Sequence, residues 1–179
     1  MVFSRKFYER DTRTVAQALI GKVLKSDSKD GITGGRIVET EAYLPQGDSA
    51  CHAAKHRTPR TEVMFGAAGY AYVYPIHAKY CFNIVTERER VGCAVLIRAL
   101  EPTLGIDVMR RRRGVADLKR LSTGPACVCQ ALGIDRTFNG LDVTSQSLIS
   151  VEDDLAPIPS EQIINTVRIG VTSAKSLKL

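Results

Sequence analysis

Three observations predict an α+β fold in one domain. The chain has 179 residues, within the size a single core supports before chains split at roughly 250–300 residues. Short apolar or alternating stretches separated by turn residues recur between residues 22 and 100, and read as strands. Stretches with helix caps and stops lie before and after them. Neither an internal repeat nor a linker interrupts the pattern.

Composition narrows the class. Hydrophobic residues make up 44% of the chain, as in an ordinary globular protein. No apolar run approaches the ~18 residues of a membrane span. The opening MVFSRKFYERD is charged too early for a signal peptide. The expectation is a soluble, intracellular protein working in the cytoplasm or nucleoid, or in a eukaryotic nucleus, with no membrane partner. Five cysteines, at 51, 81, 93, 127 and 129, form an odd, scattered set. Cys127-x-Cys129 has no second pair at a zinc spacing, so reduced thiols and no metal are expected. The net charge of +6 favours a polyanionic partner but does not by itself identify one.

In chain order, Asp11 caps a helix over 12–20, with Val15, Ala18 and Leu19 at core spacing and Gly21 as its stop. Residues 22–26 and 35–44 form a hairpin across a loop of several residues around DSKDG. Strand alternation puts Ile37, Glu39, Glu41 and Tyr43 on one face, and Arg36, Val38, Thr40 and Ala42 on the other. A carboxylate beside a tyrosine, just before a loop carrying His52, is an acid–base site with an aromatic wall; equally, two carboxylates suit the wet face of a half-buried strand.

Residues 45–69 are irregular, polar and rich in small side chains, with a helical turn around 49–55 and with His52, Lys55, His56, Arg57 and Arg60 clustered in them. A loop this long in a compact domain is functional or mobile. Tyr70, Tyr72 and Tyr74 then alternate onto one face, either for cross-strand packing or as a stacking platform for a base. Pro75 bars the continuation from a central strand.

Residues 80–85 and 92–100 are further strands joined by a charged turn. Arg98 interrupts the second apolar run and requires an acceptor, Glu39 or Glu41, as a fold-holding ion pair or as part of a site. A helix opening at Pro102, with Leu104 and Val108 inward, runs into Arg110, Arg111, Arg112 and Arg113. With Lys119 and Arg120 these form the densest positive patch in the chain. In 121–133, Ser122 or Thr123 caps a helix, Pro125 fills its first turn and Gly133 ends it; Thr123 and Gly124 at such a start can receive a phosphate. Residues 142–144, 148–151 and 167–171 are short strand candidates, and 157–159 is loop.

GRIVETEAYL, D-x-A-x-H at 48–52, RTPR followed by MF, YVY, CFN, VLIRALEP and GP-x-x-x-CQALGI keep their order and spacing along the chain. In this combination the sequence resembles the alkyladenine (3-methyladenine) DNA glycosylases over nearly its full length. The resemblance implies an antiparallel barrel-like sheet flanked by helices, acting as a monomer on double-stranded DNA that contains damaged purines. It implies base flipping and hydrolysis of the N-glycosidic bond in base excision repair, without cofactor, metal or lyase step. By matching position, Glu41 is the base that activates water and Arg98 lies near that water. Tyr43, His52 and Tyr74 sandwich the base, with a hydrogen bond from the His52 backbone, and Asn83 discourages normal guanine. His77 aligns with the family's intercalating tyrosine in a hairpin one residue shorter. Arg110–Arg113, Thr123 and Gly124 are read as contacts to the DNA backbone. Two further departures are a shortened C-terminal strand, expected to weaken water placement, and Cys127 beside the slot of a family lysine. The alternative is a catalytically impaired protein of the same fold that binds damaged DNA.

Overall fold

The structure is a computed structural model and describes residues 1–145, 147–153, 158–170, 173–174 and 176–179. The helices α1 (Arg5–Tyr8) and α2 (Thr12–Leu19) precede the strands β1 (Val23–Ser28), β2 (Gly31–Tyr43), β3 (Ala71–Ile76), β4 (Lys79–Thr86) and β5 (Cys93–Leu104). They are followed by α3 (Ile106–Arg113), α4 (Leu118–Leu121), α5 (Pro125–Leu132) and β6 (Ile149–Glu152). All strand pairings are antiparallel, in the order β3-β4-β5-β2-β1-β6. The sheet curls into a half-barrel, and the fold is α+β as expected.

Local chemistry accounts for most elements. Asp11 accepts a hydrogen bond from the Thr14 amide and opens α2, which buries Val15, Ala16 and Leu19, with Ala18 half-buried. The β1–β2 hairpin is tighter than expected: Ser28 pairs with Gly31, so only Lys29 and Asp30 turn the chain. Pro75 lies in β3, an edge strand, where its missing N–H is tolerated. α5 has Pro125 in its first turn and Gly133 in the left-handed conformation at its end, as the sequence indicates.

Three expectations are corrected. Pro102 does not start a helix but continues β5 to Leu104. It sits at a register shift against Gly35, beyond the part of β5 that β4 pairs, so no ladder bond is lost there. Gly105 then turns the chain into α3 at φ +69°, where a Cβ would come within 2.3 Å of the Ile32 carbonyl oxygen. The start of α5 is Gly124, without a side-chain cap. Ser122 instead donates to the Leu100 carbonyl at 2.8 Å, and Thr123 to that of Lys119. Of the late strand candidates, 148–151 is seen as β6, whereas Asp142 and Val167 make single bridges to Tyr70 and Lys178. Pro157 and Val171 lie outside the described residues.

Two apolar clusters use opposite faces of the same strands. Val73, Phe82, Ile84, Val95 and Ile97 pack with α2, α3 and α5 into the main core. The alternate residues Tyr72, Val85 and Ala94 join Cys51, Ala53 and Met64, so the irregular 45–69 segment covers the other face. A sheet buried on both faces leaves no solvent side on which to discard polar residues. Polar groups on the covered face therefore have to be partnered.

Candidate active site

Strand register assembles the site. Leu96 of β5 pairs with Asn83 on one side and Glu41 on the other, while Ala94 pairs with Tyr43. Asn83 also pairs with Tyr72, and Cys81 with Tyr74. Directly opposed residues share a face, so Tyr72, Tyr74, Asn83, Glu41 and Tyr43 all project to the side covered by 45–69.

The expected alternation along β2 fails at one place. The pairing is irregular around Val38–Glu39 and Arg98–Ala99, yet it resumes the same register at Thr40↔Ile97. Ile37 and Leu100 before the break lie in the main core, as do Ala42, Val95 and Ile97 after it. Both strands thus change side-chain phase together. Ile37 does not share the face of Glu39, Glu41 and Tyr43, because of this bulge.

Glu41 is only 4% exposed. Its carboxylate accepts a hydrogen bond from the Tyr43 hydroxyl at 2.8 Å and from the Ile169 amide at 3.3 Å, and lies 3.0 Å from Arg98 Nε. Arg98 also donates to the more exposed Glu39 at 2.8 Å, so its guanidinium bridges both carboxylates. Arg98 thus ties β5 to β2 as an ion pair and is held against Glu41.

Beside this group, a cavity of about 300 Å³ is lined by Tyr43, His52, Lys55, Tyr74, Asn83 and Gly170, among others. The His52 ring stands edge-on to Tyr74, with centroids 4.6 Å apart, and its Nδ1 is 3.0 Å from the Tyr72 hydroxyl. Asn83 donates to the Tyr72 carbonyl at 3.0 Å, which fixes its amide against the pocket wall. Burial, and then the nearby Arg60 charge, push the His52 pKa down and favour the neutral ring. Burial pushes the phenols of Tyr43 and Tyr74 far up, so both remain hydroxyl donors.

Sequence reasoning missed Arg168. Its side chain is fully buried and forms a two-pronged pair with Asp48 at 2.7 Å on each arm. It also donates to the Ala42 carbonyl at 3.2 Å and lies 4.6 Å from the centre of the Tyr43 ring. Burial alone would raise the Asp48 carboxyl, but the Arg168 hydrogen bonds and the Leu44 and Ala50 amides hold it below the ordinary value. The available signal was the one that exposed Arg98, an arginine inside an apolar run (V-R-I-G).

The other candidates divide. His77 and Ala78 form the exposed β3–β4 turn, both at positive φ (45° and 61°). The arginine run does not act as one patch, because four consecutive helical residues point around the axis. Arg112 donates to the Ala131 carbonyl and to Ser28 and Thr33, while Arg113 donates to the Leu121 carbonyl and Gln130. Those two arginines spend their hydrogen bonds within the protein. Arg110 pairs with Asp107, and Arg111 is exposed. Thr123 bridges to Ala99, beside Arg98, and is exposed, with Gly124 half-buried next to it. Among the described residues no three His, Cys, Asp or Glu side chains are grouped to hold a metal ion, and no helix is long and apolar enough to cross a membrane.

A buried carboxylate anchored by an arginine, next to a pocket walled by tyrosines, is equipment for hydrolysis at a bond beside a flat ring. Comparison with known proteins agrees: residues 6–179 match the methylpurine-DNA glycosylase (MPG) family, and the chain belongs to it. It is 46% identical over 182 residues to a protein of Methanoculleus marisnigri, covering 100% of this chain and 93% of the other. It is 43% identical to one of Carboxydothermus hydrogenoformans, covering 99% and 92%. Both relatives carry the name "Putative 3-methyladenine DNA glycosylase".

Proposed function

We propose that this protein excises methylated purines from double-stranded DNA by hydrolysing the N-glycosidic bond, as a monofunctional DNA-repair glycosylase acting inside the cell as a monomer. The observation that carries the reading is the carboxylate of Glu41, buried, held by Arg98 and by the hydroxyl of Tyr43, whose side chain lines the aromatic pocket.

In this reading the damaged nucleotide leaves the stack and its base slides between Tyr43 on one side and Tyr74 with His52 on the other. Methylation at N3 or N7 gives the base a positive charge that the tyrosine faces attract. Water then attacks the sugar C1′ while its proton passes to Glu41, and the electron pair of the C1′–N bond neutralises the departing purine. The carboxylate also stabilises the oxocarbenium-like sugar. Arg98 orients the acid. Asn83 meets the 2-amino group of normal guanine with an amide that cannot turn away from it. The exposed His77 turn fills the gap in the duplex, and Arg110, Arg111, Thr123 and Gly124 face the DNA backbone.

The test is an excision assay on duplexes carrying methylated, etheno- or hypoxanthine purines, with Glu41→Gln beside the wild type. Excision by the wild type that falls ~10²–10⁴-fold in the variant supports the reading, that being the range a general base contributes. Tight binding without excision by both proteins would identify a damage-binding protein instead.

A further inference from the structure

We propose that the Asp48–Arg168 ion pair is a positioning device for the reaction, locking the C-terminal segment onto the site so that Glu41 and Tyr43 are held from behind. The inference rests on the glycosylase reading above and assigns it two residues that touch no reacting atom.

Three connections converge on this pair. First, Asp48 accepts from the Leu44 and Ala50 amides at 3.3 and 3.1 Å, so one carboxylate shapes the loop that leads from Tyr43 to His52. Second, both of its oxygens grip Arg168, a residue 120 positions away in sequence. Third, Arg168 reaches the Ala42 carbonyl and stacks behind the Tyr43 ring, while the next residue, Ile169, points its amide at Glu41. The guanidinium and the carboxylate are 0% and 1% exposed, respectively.

Elsewhere the 158–170 segment has little to hold it down. It has no strand of its own among its described residues, and Ile164, Val167 and Ile169 are 81%, 47% and 64% exposed. Arg168 is its one buried residue. A segment with so few apolar contacts is seated by its polar anchor. A planar guanidinium with two parallel hydrogen bonds fixes orientation as well as distance, which an ammonium group cannot do. Loosening the anchor would let the Ile169 amide and the Tyr43 ring drift by fractions of an ångström. Displacements of about 1 Å outside the chemistry can cost ~10²-fold in rate.

The experiment compares wild type, Arg168→Lys and Asp48→Asn on a duplex containing 7-methylguanine. Single-turnover excision is measured at saturating enzyme, beside the affinity for a duplex carrying a stable abasic analogue. The expected result is a rate loss of ~10-fold or more in each folded variant, with analogue affinity within about 3-fold of wild type, because the anchor acts on geometry and not on DNA contact. Arg168→Lys keeps the charge and decides the matter if Asp48→Asn does not fold. Rates within about 2-fold of wild type, or equal losses in rate and affinity, would overturn the positioning role while leaving the glycosylase reading intact. A wild type that excises nothing would overturn both.

Discussion

The two faces of the β3–β4–β5 sheet are built from alternate residues of the same strands, and they obey different rules. On one face Val73, Phe82, Ile84, Val95 and Ile97 meet helices and contribute only apolar contacts. On the other, Tyr72, Tyr74 and Asn83 join Glu41, Tyr43 and Arg98, and hydrogen bonds or ion pairs interlock most of them. The first face should therefore register substitutions as stability and the second as chemistry, although the Cα atoms concerned are neighbours. The reason lies in the cover: packed helices reward shape on one side, while an irregular loop on the other leaves a cavity and surrounds it with groups that must be partnered.

That contrast is open to breakage. The largest effects should come from a matched pair, Glu41→Gln and Phe82→Ala. The first should cut excision by ~10²–10⁴-fold in a protein that still unfolds cooperatively. The second should lower unfolding free energy by ~3–5 kcal/mol while the molecules that remain folded keep their excision rate. Urea denaturation alongside single-turnover kinetics measures both, and a large rate loss in folded Phe82→Ala would show that the faces are not separable.

Tyr74→Ala comes next. Removing one stacking wall should weaken binding of the flipped base by ~1–3 kcal/mol. The comparison is the affinity for damaged over undamaged duplex. An unchanged ratio would remove Tyr74 from the base pocket.

Exchanging His77 for Tyr should change duplex excision by less than either, improving it about 2- to 10-fold if a larger ring fills the vacated stack better. No change in duplex excision or binding would end the case for the turn as a wedge.

The smallest effect is electrostatic. His52 ordinarily titrates near 6.5, and burial keeps its folded-state pKa below that. Between the two values the unfolded chain binds more protons, so stability is full above 6.5 and declines as pH falls through the folded value. Urea midpoints at about pH 7.5 and 5.5 should differ less in His52→Gln than in wild type. The opposite sign would mean that the ring is held charged.

Much of this was legible beforehand. Asp11, Pro125 and Gly133 mark helix ends by chemistry local to a few residues, and the apolar runs of β4 and β5 signal strands. The carboxylate–tyrosine–imidazole pattern and the alternating tyrosines brought Glu41, Tyr43, His52 and Tyr74 forward, and the family resemblance added Asn83; register puts Glu41, Tyr43, Tyr74 and Asn83 on one side of the sheet. What escaped depends on distant partners. Pro102 is tolerable in β5 because β4 has already ended beside it, a fact about another strand. Ser122 and Thr123 are good caps in isolation but are drawn to the Leu100 and Lys119 carbonyls. Arg112 and Arg113 look like a polyanion patch until the end of α5 arrives to take their hydrogens. Arg168 acquires its meaning from Asp48, far away in sequence.

The irregularity at Val38 has a consequence for anyone redesigning this chain. Upstream of it β2 faces its odd-numbered Ile37 into the main core, and downstream its even-numbered Ala42. A smooth ribbon continuing from Ile37 would drive Glu41 among leucines and valines, and turn Ala42 toward the ring cavity. Idealising that kink, an edit any stability-minded engineer would try, would rotate Glu41 through half a turn, away from Tyr43 and Arg98, and on the proposed reading would abolish excision.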